Sequence, residues 1–223
     1  RVALARAFAT DPALLLLDEP FRALDAPTRA TLLPVVRERL RETGTAAVLV
    51  THDLDEAFAF GDRVAVMNAG AVVAHGDAPG LVAHPPSREV AALLGVETIA
   101  AGVIRRVVNG YARVELRPAG PSVRSRLRSV AAVSPHQSVT LSLPARAVTV
   151  LPPGADRRDD VNLLPGTVRA VTSLSTGVRL VVETPAPIVA LASWDASARR
   201  WSVGDRACVT FAPEAAHLIP DGV

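Results

Sequence analysis

Two adjacent carboxylates, Asp18 and Glu19, follow an uninterrupted apolar run over residues 14–17. An apolar run without alternation predicts a strand that is covered on both faces and delivers both acids to the edge of a sheet. Paired with a phosphate-binding loop, the first acid would hold Mg²⁺ through water and the second would orient or deprotonate an attacking water, which is the chemistry of phosphoryl transfer. For these residues taken alone, a strand that ends in an acidic turn is the alternative.

The strand that carries the two acids is followed by a predicted helix. It begins at Asp25 and ends near Thr43, before Gly44, and Pro34 predicts a kink inside it. A second apolar run, residues 46–50, predicts another buried strand, so that strand, helix and strand form a right-handed crossover with parallel strands. The crossover brings the polar ends of both strands to one edge of the sheet, where open α/β sheets bind ligands.

The second strand ends in Thr51, His52 and Asp53 at the same predicted edge. Asp53 predicts the N-cap of a further helix, with Glu56 in the capping-box position and Gly61 at the end of the helix.

The segment after this helix completes a predicted α/β domain. Residues 63–68 and 71–75 predict a β-hairpin, and short helices are expected over residues 78–84 and 88–94. Gly95 is the expected boundary, which gives domains of residues 1–95 and 96–223.

Beyond Gly95 the apolar periodicity changes to two residues, which predicts half-buried strands around positions 112–116, 139–143 and 178–182. Two segment pairs recur along this half. Residues 97–103 resemble 162–168, and 143–147 resemble 212–216. Two units of about 60 residues predict an all-β domain of two small OB-like barrels. Residues 152–160 are the expected linker between them, and residues 117–137 are expected to form loops or an exposed strand.

Composition excludes several kinds of site. All 24 residues of the Lys+Arg total are Arg, so this chain contains no phosphate-loop lysine, and its one cysteine rules out an internal disulfide. A net charge of +2 provides only a weak field for nucleic acid. Base stacking needs aromatic platforms, and the second half offers few aromatic side chains, namely Tyr111, Trp194, Trp201 and Phe211. We therefore expect no nucleic-acid partner.

Several short segments occur in a fixed order over about residues 1–76. They are residues 1–7 (RVALARA), 14–20 (LLLLDEP), 23–25 (ALD), 51–53 (THD), 56–57 (EA) and 62–64 (DRV). In order and spacing this set closely resembles the ATP-binding subunit of ABC transporters. The resemblance implies the C-terminal part of a P-loop NTPase domain, with ATP and Mg²⁺ as cofactors. It also implies a second ATPase subunit as homodimer partner, transmembrane permease subunits, and a cytoplasmic location on the inner face of the cell membrane.

The resemblance also implies roles for individual side chains. Asp18 corresponds to the Walker B acid that holds Mg²⁺, and Glu19 to the catalytic carboxylate. Asp25 lies in the D-loop beside the nucleotide, and His52 is the switch histidine that contacts the γ-phosphate. Reading His52 as a polar residue at a helix entry is the alternative.

Departures from the family pattern affect the expected activity. The lysine-bearing loop, the glutamine loop and the signature segment, which normally precede the segment at residues 1–7, are absent from the sequence. We expect this chain to be the C-terminal portion of a larger protein, and by itself neither to bind ATP tightly nor to hydrolyse it. Arg22 occupies a D-loop position where the family usually has Ser, and it either affects communication between subunits or points to solvent.

The second half resembles the C-terminal regulatory region of importer ATPases, and residues 162–219 resemble the molybdate-binding, Mop-like TOBE barrel. This resemblance implies an importer of molybdate or tungstate, with sulfate, ferric iron and polyamine importers as relatives by architecture. Asn162 and Ser197 are the candidate oxyanion ligands, although Ala212 stands where a lysine would be expected.

A second hypothesis belongs to a different class. The β-barrels would sense an oxyanion, or act as a dimerisation module, without any ATPase activity of the chain. A barrel that only stabilises the ATPase dimer and binds no ligand is the third interpretation.

Overall fold

The computed structural model describes residues 6–117, 122–126, 133–155, 160–184, 186–192 and 201–221. The chain divides into two compact units, residues 1–78 and 79–223. In the first unit residues 6–8 are helical. The further elements of this unit are β1 (Leu14–Asp18), α1 (Ala26–Thr43), β2 (Ala46–Val50), α2 (Leu54–Phe60), β3 (Val64–Asn68) and β4 (Ala71–Gly76).

Strands β1 and β2 form a parallel pair, as the crossover predicts, with Leu14 beside Ala46 and Asp18 beside Val50. Helix α1 is continuous through Pro34. It ends at Gly44, whose left-handed backbone (φ 64°) is the C-cap that the sequence predicts.

The β1–β2 sheet has one covered face. Leu15 and Leu17 are buried in a cluster with Phe21, Phe60 and the apolar side of α1. Leu14 and Leu16 point to the other side and are 53% and 70% exposed. The prediction that β1 is buried on both faces is therefore wrong for the described part of the chain, because the helix packs against one side of the sheet and leaves the other side accessible.

Strands β3 and β4 form the predicted antiparallel hairpin. Ala69 and Gly70 make its two-residue turn, and both have positive φ angles (47° and 81°). Two successive positive φ angles are typical of the tight turn that matches the twist of a hairpin.

The second unit begins within α3 (Ala78–Ala83) and continues through α4 (Arg88–Leu93). Its strands are β5 (Thr98–Val108), β6 (Tyr111–Leu116), β7 (Ser122–Arg126), β8 (Ser138–Leu143), β9 (Thr149–Leu151), β10 (Asn162–Leu174), β11 (Gly177–Glu183), β12 (Pro187–Ala192), β13 (Arg206–Phe211) and β14 (His217–Pro220). The expected boundary at Gly95 lies inside this unit, because α4 packs on β5 and β8 and buries Val90 and Ala91.

The ten strands form two antiparallel sheets of five, in the orders β14-β8-β5-β6-β7 and β12-β11-β10-β13-β9. The predicted repeat is visible in them. β5 and β10 are matching long strands, each with a register shift, and β8 and β13 each lead into a 3₁₀ turn (Ala145–Ala147 and Pro213–Ala215).

The strands after the two turns exchange partners between the sheets. β9 pairs with β13 of the second repeat, and β14 pairs with β8 of the first. The buried side chains of both sheets also form one hydrophobic cluster, which includes Leu116, Leu141, Leu180 and Ile188. The expectation of two separate repeat units is therefore corrected: the repeats exchange their last strands and share a core.

Two strand predictions also need correction. β8 is buried on both faces, Thr140 and Ser142 included, because it lies between β5 and β14 with other chain segments on both sides. The segment expected to form loops or an exposed strand contains β7, whose Val123 and Ser125 are fully buried.

A glycine at the matching position of each repeat allows the close approach of the hairpin strand. A Cβ atom on Gly102 would lie 2.6 Å from Val114 Cγ1, and one on Gly166 would lie 2.6 Å from the carbonyl oxygen of Glu183. Glycine within a strand is typical of such close backbone contacts.

Candidate functional site

The edge of the parallel sheet begins where β1 ends. Glu19 follows the strand directly, and its backbone N–H donates to the Val50 carbonyl at 2.9 Å. Its φ angle is +42°, a left-handed conformation that is uncommon for a residue with a side chain. Strain of this kind concentrates at functional sites, and here it turns the chain so that the Glu19 carboxylate meets the loop after β2.

The Glu19 carboxylate has a partner on each oxygen. His52 Nδ1 donates to Oε1 at 2.8 Å, across 33 residues of sequence, and Arg22 Nη1 donates to Oε2 at 2.7 Å. Because a carboxylate only accepts hydrogen bonds, the His52 proton resides on Nδ1. The His52 side chain is 73% exposed and that of Glu19 is 30% exposed, so the pair is accessible from solvent.

These contacts affect the protonation of Glu19. The hydrogen bond from His52 is the main cause that lowers the pKa of this carboxyl below its ordinary value of 4.5, and the hydrogen bond and charge of Arg22 act in the same direction against partial burial. Glu19 is therefore ionised at neutral pH, which is the form that accepts a proton.

The structure thus brings Glu19 and His52 into contact, and it places Arg22 with them. Arg22 does not simply point to solvent, since its guanidinium pairs with the carboxylate. The sequence identified this position as unusual but gave no indication of its partner. The signal that was available is the spacing of three residues, which brings two side chains together in a tight turn.

Asp18 is exposed at the end of β1, beside Val50. Within the described residues no group of three or more His, Cys, Asp and Glu side chains forms a metal site. A single exposed carboxylate fits Mg²⁺, because this ion is usually held by one or two carboxylates, substrate phosphates and water.

Asp25 has a structural contact at the start of α1. Its two carboxylate oxygens accept from the backbone N–H of Thr28 at 2.9 Å and from the Thr28 hydroxyl at 3.0 Å. The side chain is exposed and caps the helix. A contact between Asp25 and a nucleotide stays a prediction.

The capping prediction for α2 is half right. Asp53 Oδ1 accepts from the N–H groups of Asp55 and Glu56, as an N-cap does. Glu56 does not return the contact, since the N–H of Asp53 donates to Thr51 Oγ1 at 3.1 Å instead. The Glu56 carboxylate is buried and accepts hydrogen bonds from the Arg29 guanidinium and the Thr51 hydroxyl.

Sequence reasoning missed the role of Arg29. The spacing of the helix indicated this role. Arg29 lies one turn before Leu33, on the side of the helix where Leu33, Val36 and Leu40 are buried. A charged residue on the apolar side of a helix indicates a buried or half-buried partner.

The candidate oxyanion ligands lie in the second unit. Asn162 is the first residue of β10 and is buried. Its Oδ1 accepts from the Arg124 N–H at 2.6 Å, and its Nδ2 donates to the Arg124 carbonyl at 2.8 Å. The side chain therefore joins β10 to β7 of the other sheet, and an oxyanion contact stays a prediction. Ser197 lies outside the described residues.

Comparison with known proteins finds one domain family that matches the second unit and a relative that matches almost the whole chain. The family profile for the TOBE domain matches residues 153–219. The spermidine/putrescine import ATP-binding protein PotA of Thermobifida fusca is 34% identical over 229 residues, which is 99% of this chain. The chain is a homologue of import ATP-binding proteins.

Other relatives carry different solutes in their names. The molybdate/tungstate import ATP-binding protein WtpC of Pyrococcus horikoshii is 43% identical over 52% of this chain, and the Fe(3+) ions import ATP-binding protein FbpC 2 of Pectobacterium atrosepticum is 41% identical over 53%. The chain spans 56% of the length of PotA, 34% of WtpC and 38% of FbpC 2.

A solved structure is similar to part of the chain. Molybdate-bound ModG, a cytoplasmic molybdate-binding protein, matches with a TM-score of 0.49 and 16% sequence identity, over 56% of this chain and 98% of ModG. Among the described residues, no helix has both the length and the apolar character needed to cross a bilayer.

Proposed function

We propose that the first unit supplies the Mg²⁺, catalytic-carboxylate and switch-histidine side of an ATP hydrolysis site in an import ATP-binding subunit of the ABC type. The observation that carries this proposal is the contact between Glu19 and His52 at the edge of a parallel sheet, with Asp18 beside it. The alignment with the import ATP-binding protein PotA, which is 34% identical and covers 99% of this chain, supports the proposal.

Each side chain has a proposed task. Asp18 would hold Mg²⁺, which neutralises phosphate charge when bound. The ionised Glu19 carboxylate accepts a proton from water, or orients that water for attack. His52 keeps the carboxylate in place through Nδ1. When the ring is doubly protonated, Nε2 also carries a proton, which it would donate to a phosphate oxygen. Asp25 keeps the start of α1 in register beside the nucleotide.

The partners and the location belong to the same proposal. A second ATPase subunit would complete the nucleotide site, and permease subunits would hold the complex at the inner face of the cell membrane. The cytoplasmic side is the side on which ATP is available.

Molybdate or tungstate is the solute that we propose, with the similarity to WtpC as support. The names of PotA and FbpC 2 provide the competing solutes, polyamine and ferric iron. Calorimetric titration of the chain with molybdate, tungstate and sulfate tests whether the second unit binds the oxyanion. Saturable binding of molybdate that is lost in Asn162→Ala and in Ser197→Ala supports an oxyanion site. If none of the three anions binds, the second unit has a structural role and does not sense the oxyanion.

Hydrolysis tests the proposed site. The chain is joined to the N-terminal portion of the Thermobifida PotA, and ATP turnover is measured. We expect Glu19→Gln to lower kcat on the order of 10²-fold or more, because a general base contributes that much, while Mg-ATP binding persists. Glu42→Gln is the control, since Glu42 is exposed and pairs with Arg39 on α1. Equal activity of both variants would refute the assignment. The 223-residue chain itself should bind a fluorescent ATP analogue weakly.

A further inference from the structure

Glu56 is a carboxylate in the first turn of α2 that is 4% exposed. Acidic side chains are rarely buried to this extent unless they are paired. Arg29 Nη1 donates to its Oε1 at 3.0 Å, and the Thr51 hydroxyl donates to its Oε2 at 2.6 Å. Both oxygens are thus engaged, one by a helix and one by the loop after β2.

The same network holds the residues on both sides of His52. Thr51 precedes His52 and contacts Glu56. Asp53 follows His52, its N–H donates to Thr51 Oγ1, and its Oδ2 pairs with Arg29 Nη1 at 3.1 Å. His52 itself is largely exposed. Its backbone is therefore fixed through its two neighbours, and these are fixed by Arg29 and Glu56.

Arg29 also connects this loop to the start of α1. Its backbone N–H donates to the Asp25 carbonyl at 2.9 Å, within the turn that the Asp25 side chain caps. One residue therefore contacts both elements, the Asp25 turn through its backbone and the His52 loop through its side chain. The contacts from Arg29 to this loop are charge-assisted hydrogen bonds, which are shorter and stronger than neutral ones.

We propose that Arg29 and Glu56 are positioning residues that place the His52 ring against Glu19 and couple it to the start of α1. This inference deepens the proposed function and rests on it for the meaning of His52. An ion pair that merely holds α1 to α2 is the competing explanation, and the chain offers a matched control for it.

Arg37 provides that control. It lies on the same helix, about 12 Å further along at 1.5 Å per residue. Its Nη2 pairs with Asp62 at 2.7 Å and its Nη1 donates to the Ala59 carbonyl at 2.9 Å. The side chains of Arg37 and Arg29 are both 30% exposed. Arg37 thus joins α1 to the end of α2 without contact to the His52 loop.

The experiment is nuclear magnetic resonance on the 223-residue chain with ¹⁵N-labelled histidine. In the wild type we expect His52 to show a protonated Nδ1 and close contacts with Glu19. Arg29→Met should remove the Glu19 contacts and shift the ring signals toward those of a free imidazole, while Arg37→Met should leave both unchanged. Equal changes in the two variants, or an unchanged His52 in Arg29→Met, overturn the inference.

A second pair of variants covers the case in which Arg29→Met fails to fold because it leaves Glu56 buried without its cation. Thr51→Val removes the hydroxyl between Glu56 and Asp53 but keeps Arg29 as the cation that pairs with the buried Glu56, and Thr51→Ser restores the hydroxyl. The His52 signature should be lost in the first and recovered in the second. Loss in both, or retention in both, counts against a positioning role.

Hydrolysis by the chain joined to the N-terminal portion of PotA separates the two proposals. We expect Arg29→Met to lower kcat at least tenfold with less than a twofold change in the KM for ATP, and Arg37→Met to keep both. A changed His52 signature with unchanged hydrolysis supports positioning and counts against the proposed role of His52. An unchanged signature overturns this inference whatever hydrolysis does.

Discussion

The sheet edge of the first unit and the starts of strands β5 and β10 in the second unit place polar side chains in different environments. At the sheet edge of the first unit, Asp18 and His52 are exposed and Glu19 is half-buried. In the second unit Thr98 and Asn162 are buried at the starts of the matching strands β5 and β10, and each bonds to the backbone of the opposite sheet. Accessible polar groups can meet a ligand, whereas buried and paired ones decide which strands lie together.

The apolar side chains differ in the same way. The first unit leaves Leu16 and Val50 more than half exposed on one side of its sheet, whereas Leu141 and Leu180 of the second unit are completely buried. We infer that the second unit contributes most of the stability of the chain.

The largest expected effect tests this division of stability. Leu141→Ala removes a completely buried side chain from β8, which has a strand on each side, and should lower the free energy of unfolding by about 2 to 5 kcal/mol. Leu16→Ala removes a side chain that is 70% exposed and should change it by no more than about 0.5 kcal/mol.

Urea unfolding measures both variants. Tryptophan fluorescence reports on the second unit, because Trp194 and Trp201 both lie there, and circular dichroism reports on the whole chain. A Leu16 variant as unstable as the Leu141 variant would contradict the comparison.

A smaller effect is expected at the polar links between the sheets. Asn162→Ala leaves both backbone groups of Arg124 without this partner and should cost about 1 to 3 kcal/mol. Thr98→Val removes one acceptor, that of the Val189 N–H, and should cost less. Thr28→Val in the first unit loses an exposed contact to Asp25 and should cost no more than about 0.5 kcal/mol. Thermal unfolding measures the three variants. If Thr28→Val is destabilised as much as Asn162→Ala or more, the buried hydrogen bonds contribute no more to stability than the exposed one.

The smallest effect concerns one carboxylate in each unit. The hydrogen bond from His52 lowers the pKa of Glu19, and the hydrogen bond from Arg105 lowers the pKa of Glu115, in both cases from 4.5. Because the folded pKa is the lower one, each carboxylate stabilises the fold above about pH 4.5, and this contribution is lost as the pH falls through the folded pKa.

Carboxyl ¹³C titration measures these shifts. His52→Ala should raise the pKa of Glu19 toward 4.5, and Arg105→Met should do the same for Glu115. Arg113→Met removes a charge from the same strand as Glu115 and should have the smaller effect on its pKa. If the two arginine variants act equally, long-range charge rather than the Arg105 contact is the cause.

Local patterns predicted much of the fold. The caps at Asp25 and Gly44, the apolar runs of β1 and β2 and the turn at Gly70 are determined by neighbouring residues, and the structure has each of them. The sequence could not predict that one side of β1 stays open, because burial depends on which elements lie opposite.

Contacts between distant residues explain the other errors. β9 and β14 have three and four residues, too few for a periodic signal, so their exchange between sheets was not predicted. The sequence identified Glu19 and His52 as candidates, and their contact follows from the parallel register. The buried position of Glu56 depends on Arg29, which lies 27 residues away on another helix.

The exchanged strands β9 and β14 have a consequence for how this protein can change. Neither repeat contains a complete sheet, because each receives its fifth strand from the other. Deletion of one repeat would strip an edge from the survivor and open the shared interior to water. The two repeats can therefore diverge in sequence. A gene rearrangement that keeps the fold must retain, transfer or delete both of them together.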